Sequence, residues 1–153
     1  MSWDKITKVI AGIGGAIAGV FGEWNTMLTI LACVMVIDYI TGVTVAIAHK
    51  SPKTANGGVS SKAGFEGLLR KFIIILIVAF ATVFDRVLGT DRMIFQTACT
   101  FYYIANEGIS ILENASLLGV PFPAGMKNAL EAMKEKNNDT TLPEAKENKE
   151  EDN

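Results

Sequence analysis

The stretch from Thr26 to Ala48 holds one charged residue, Asp38, and no proline. As a helix rising 1.5 Å per residue it reaches ~34 Å, more than the ~30 Å hydrocarbon core of a bilayer. A second run, Phe72 to Leu88, opens with FIIILIVAF and reaches ~26 Å. A third, Met93 to Leu112, reaches ~30 Å but is more polar. Half of the 153 residues are hydrophobic, concentrated before Val120, whereas charge gathers after Lys127. A chain this short has too little polar surface to wrap such runs in water. The expected fold is therefore an all-α integral membrane protein with about three transmembrane helices, near residues 26–48, 72–88 and 93–112. They make up a membrane domain over residues 26–123, followed by a charged tail over 124–153.

Residues 1–25 form a separate Gly-rich segment. Its helical part, Ile6 to Phe21, reaches only ~24 Å, marginal for spanning. Ala11, Gly15 and Gly19 recur every four residues, a pattern that lets membrane helices approach closely; Gly42 is the packing glycine of the first span. Lys5 and Lys8 before an apolar stretch resemble a secretory signal, but no small-x-small site followed by a polar region appears, so the segment is expected to stay with the chain. Whether this amphipathic or membrane-embedded helix crosses the bilayer is left open. If it does, the N-terminus is cytoplasmic; otherwise it is external.

Charge sets the orientation. His49 to Lys71 carries Lys50, Lys53, Lys62, Arg70 and Lys71 against one acid, Glu66. The positive-inside bias places this segment in the cytoplasm. The second span then runs outward, and the third returns to a cytoplasmic C-terminus. Asp85-Arg86 and Asp91-Arg92 are expected to frame the external turn as ion pairs. The tail, expected to begin as a short helix around Asn128 to Lys134, should be disordered beyond it. Met27, at the threshold of the first span, is a possible second start.

Several function classes drop out. A net charge of −2 offers no nucleic-acid surface. Cys33 and Cys99 lie inside apolar runs, with neither disulfide nor zinc spacing. His49 is the single histidine. No nucleophile–base pair, phosphate loop or metal-ligand cluster is apparent, so no enzyme, cofactor or metal is expected.

The third run carries the most information. At about 100° per residue, Gln96, Thr100, Tyr103, Glu107, Ser110 and Asn114 share a stripe about 80° wide. Ile94, Ala98, Phe101, Ala105, Ile109 and Leu112 lie opposite. A carboxylate at mid-membrane costs about 2.5–3.5 kcal/mol on insertion scales, so Glu107 must face water, a neighbouring helix or another subunit. In one reading, copies gather their stripes around a wet lumen and turn apolar faces to lipid. In the other, the stripe bonds within one chain. Asp38, near the midplane of the first span, poses the same choice.

Three blocks, VIDYITGVTVAI (Val36 to Ile47), SSKAGFEGLLRK (Ser60 to Lys71) and FYYIANEGISILENASLLGVPFP (Phe101 to Pro123), resemble the toxin-secretion/phage-lysis holin family in residues, order and spacing. The resemblance covers roughly Leu28 to Lys134. It implies a protein that accumulates in the bacterial host's cytoplasmic membrane and then self-assembles into lesions. These release an endolysin, without necessary direct contact, or a large toxin. Asp38, Glu107, Glu113 and Asn114 are the positions carried over, and Pro121 and Pro123 the helix stop.

The expected function is thus a non-enzymatic holin whose partners are copies of itself and membrane lipid, with no nucleic acid. A selective ion channel or transporter subunit built on Asp38 and Glu107 is the alternative. A membrane scaffold with a partner-binding acidic tail is a third.

Overall fold

The computed structural model describes residues 3–22, 24–89 and 93–138. The Asp91-Arg92 pair and the tail beyond residue 138 lie outside the described residues. Five helices follow in order: α1 (Trp3–Phe21), α2 (Thr26–Ile47), α3 (Ser61–Val87), α4 (Ile94–Leu118) and α5 (Ala124–Asn138). Among the described residues there is no strand.

Local chemistry sets the helix ends. Asn25 caps α2, its side chain accepting from the Leu28 amide at 2.9 Å. Ser60 caps α3 by accepting from the Ala63 amide, the geometry short polar side chains favour at helix starts. Gly119, with φ of 80°, closes α4 in the left-handed region, and Pro121 and Pro123 follow it.

α2 and α4 run parallel. Asn25 bonds Gln96 at one end, and Thr41 bonds Asn114 at the other. α3 runs antiparallel to both, so Lys71 meets Glu107 and Thr82 meets Gln96. The apolar core joins Leu28, Leu31 and Met35 of α2 to Ile74 and Val78 of α3, with Phe21 of α1 closing one end. α1 touches the bundle at its C-terminal end, where Arg86 donates to the Gly19 carbonyl at 3.0 Å. Gly22 makes that contact possible: its φ is +66°, and a Cβ there would lie 2.6 Å from the Arg86 guanidinium. Nothing lies near Gly15 or Gly19 on their Cβ side, whereas Gly42 sits against Asn114.

The outer surface fits lipid. Val36 and Ile40 are each 58% exposed, and Phe80 is 69% exposed. A water-soluble chain does not leave an apolar belt of this kind open. α2 and α3 are each long and apolar enough to cross a membrane. α4 has comparable length, 25 residues, but its polar stripe interrupts its apolar character.

Three boundaries differ from the sequence expectation. The helix that carries the second expected span starts at Ser61, ahead of Phe72, because Ser60 nucleates a helix through SKAGFEGLLRK. The third continues to Leu118, where Gly119 takes the left-handed conformation that ends the helix. The tail helix starts at Ala124 and folds back on α4: Leu130 packs on Gly108, and Lys134 lies over the Tyr102 ring at 5.8 Å. Ala105 and Leu112, expected to face lipid, are buried on the side of α4 that α5 occupies.

Candidate functional site

The polar stripe of α4 faces the interior of the bundle and is satisfied there in two layers. The first forms where α4 begins. Asp85 of α3, fully buried, accepts from the backbone amides of Phe95 at 3.1 Å and Gln96 at 2.7 Å. Its charge and both oxygens thus serve the open N–H groups and positive dipole end of α4, a role Met93 lacks the side chain to fill. The Gln96 amide donates to Thr82 at 2.8 Å and its carbonyl accepts from Asn25 at 3.0 Å. Thr100 donates its hydroxyl to the backbone carbonyl of Gln96, one turn back on α4.

The second layer lies four turns further along α2. Lys71 donates to Asp38 at 2.8 Å and also to Glu107, which ties α2, α3 and α4 together through one ammonium. Asn114 donates to Asp38 at 3.2 Å and to the Thr41 hydroxyl at 3.0 Å. The side chains of Lys71, Asp38 and Glu107 are 12%, 14% and 4% exposed. Among the described residues, no buried side-chain nitrogen or oxygen lacks a partner. Removing one member of such a buried pair costs about 3–5 kcal/mol, because the other charge is left uncompensated. The pair is therefore a strong restraint on the three-helix arrangement, whatever its net contribution to stability.

Asp38, Gln96, Thr100, Glu107 and Asn114 are brought together with partners inside one chain. Tyr103 is half-buried at the edge of the apolar core and meets Tyr102 edge-on. Ser110 lines a cavity above the Lys71 cluster. Glu113 points outward. Met27 lies in the first turn of α2, two residues past the Asn25 cap.

Sequence reasoning did not find Lys71, which it left in the basic loop, nor Asn25, Thr82 and Asp85. Asp85 was expected on the surface beside Arg86; it turns inward while Arg86 reaches the Gly19 carbonyl. Two membrane carboxylates with a lysine bordering the adjacent span were the signal for Lys71. For Asp85 the signal was a helix start at Met93 with no capping side chain of its own. Among the described residues no cluster of His, Cys, Asp and Glu suits a metal ion.

Sequence comparison places the chain among known proteins. A protein of Clostridium perfringens, named only as uncharacterized, is 34% identical over 126 residues, covering 82% of this chain and 88% of that protein. A 14.9 kDa protein of the same species is 35% identical, covering 83% and 91%. A protein of Bacillus phage phi105 named "Probable holin" is 32% identical over 124 residues, covering 81% and 85%. No solved structure matches. The pattern of the bacteriophage holin family matches residues 15–135, so this apolar-belted, internally bonded helical bundle is a membrane protein that belongs to the bacteriophage holin family.

Proposed function

We propose that the chain is a holin: it accumulates in the bacterial cytoplasmic membrane and then assembles into lesions that release an endolysin, or a large toxin, without enzymatic chemistry. α2, α3 and α4 each cross the bilayer, and the basic loop and C-terminus are cytoplasmic. The observation that carries this reading is the internal satisfaction of the α4 stripe. A helix of membrane length has a face polar enough to line water, and in one chain that face is bonded to Lys71, Asp38, Thr82 and Asp85. The stripe thus has two favourable environments, the closed bundle and a wet lumen shared among copies. Separate chains persist in the first and lesions form from the second. Barriers between packed arrangements of this kind make the change abrupt.

α5 takes part in the same change. Lys127, Glu131 and Glu135 lie on its exposed surface, and charge facing hydrocarbon is costly. In the membrane α5 therefore either faces water in the assembly or leaves α4 for the cytoplasm.

Inducible expression with and without a co-expressed endolysin tests the proposal. Turbidity should fall sharply, after a delay, only with the enzyme present, and the membrane should pass a folded reporter protein. Leakage limited to small ions would instead support the selective channel.

A further inference from the structure

Two cavities, one apolar and one of mixed lining, meet at Lys71. One, of about 370 Å³, is an apolar groove between α2 and α3, walled by Leu31, Met35, Val36, Ile75 and Val78. It exists because α2 and α3 both pack on α4 and leave a cleft between themselves. The other, of about 590 Å³, lies at the loop end of the bundle and is lined by Ser51, Lys53, Ser60, Ser61 and Arg70, with Asp38, Lys71 and Glu107 at its base. Tyr39, Leu68 and Lys71 line both. The two cavities therefore adjoin, an end that carries charged and hydroxyl side chains among apolar ones continuous with an apolar slot.

We infer that this pair of cavities is a binding site for one anionic phospholipid, its acyl chain in the groove and its headgroup in the larger cavity at the loop end. The slot runs along α2 from Leu28 to Ile40, ~18 Å at helical rise, a length suited to one leaflet of a ~30 Å core. Charge selects the headgroup. Of the basic residues lining the cavity, Lys71 is held by two carboxylates. Glu66, also in the lining, pairs with Lys62. Lys53 and Arg70 have no carboxylate partner among the described residues, so two cations and four serines line the space a phosphate would fill. The apolar groove matches an acyl chain and the two cations match a phosphate, so one lipid satisfies both ends. The site rests on the proposed topology only for which leaflet supplies the lipid; its test does not depend on lysis.

Tyr39→Trp in a Trp3→Phe, Trp24→Phe background puts one fluorophore where groove and cavity meet; Leu68→Trp is a second reporter. The full chain goes into phosphatidylcholine vesicles containing a minor fraction of chain-brominated phosphatidylglycerol or, in parallel, chain-brominated phosphatidylcholine. The anionic lipid should be favoured by about fivefold for each cation engaged, read as stronger quenching at equal mole fraction. Lys53→Gln with Arg70→Gln should abolish the preference without changing quenching by the brominated phosphatidylcholine. Equal quenching by both lipids from both reporters would overturn the site. So would a preference that survives the double substitution, one removed by millimolar inorganic phosphate, or quenching that vanishes as protein density rises.

Discussion

Asp38 and Glu107, on two parallel helices, are held together by one ammonium, Lys71, supplied from the antiparallel helix between their ends. Two carboxylates sharing one cation in a largely buried position are stable only while that cation stays. The closed bundle therefore depends on a single side chain in the N-terminal half of α3.

Replacing Lys71 should open the bundle early. Lys71→Met leaves two buried carboxylates side by side, a loss of about 3–5 kcal/mol from the closed arrangement. The expected result is lysis earlier than wild type at equal protein level, followed by turbidity and immunoblot. Lys71→Arg, which keeps the charge and two-pronged donation, should stay near the wild-type time.

Glu107 separates closure from opening. Glu107→Leu removes the polar group from the middle of the stripe but leaves the Lys71–Asp38 pair. The protein should insert normally and fail to lyse. Glu107→Gln keeps a hydrogen-bonding group and should shift lysis time without abolishing it. A leucine variant that lyses on schedule would remove the stripe from the mechanism.

Asp85 should matter for stability rather than for opening. Asp85→Ala orphans two buried backbone amides at the start of α4, which costs about 1–3 kcal/mol. Thermal unfolding in detergent, followed by circular dichroism, should begin several degrees lower. Asp85→Asn, with one acceptor oxygen left, should fall between.

Much of this was legible in the sequence. Apolar run length gave helix α2 almost to its ends, and periodicity along α4 grouped Gln96, Thr100, Glu107 and Asn114, which are all buried, on one face. Periodicity cannot say what the face meets. Lys71 and Asp85 come from a helix that begins eleven residues before the expected span, because charge was taken as loop where Ser60 begins a helix. The α5 contact was equally hidden: Leu130 against Gly108 joins a polar tail to an apolar helix, and no local pattern announces it.

That contact is itself open to test. With Cys33 and Cys99 replaced by alanine, Gly108→Cys with Leu130→Cys would tie α5 to α4. If α5 must leave for assembly, the oxidised chain accumulates without lysing, and a membrane-permeant reductant restores lysis within minutes. Lysis on the normal schedule despite complete cross-linking would show that α5 stays in place.

A product started at Met27 would lack both Phe21 from the core and the Asn25 cap that also bonds Gln96. It should therefore trigger earlier than the full chain. Met27→Leu, with protein bands and lysis time compared against wild type, shows whether that start is used; no change in either would exclude it.

The most direct measurement is labelling of Thr100→Cys, in the chain lacking Cys33 and Cys99, with a membrane-impermeant maleimide before and after triggering. Thr100 is 1% exposed in the closed bundle. The cysteine should be unreactive in accumulated protein and react once the membrane opens. A residue still sealed in lysing cells would contradict a water-lined α4.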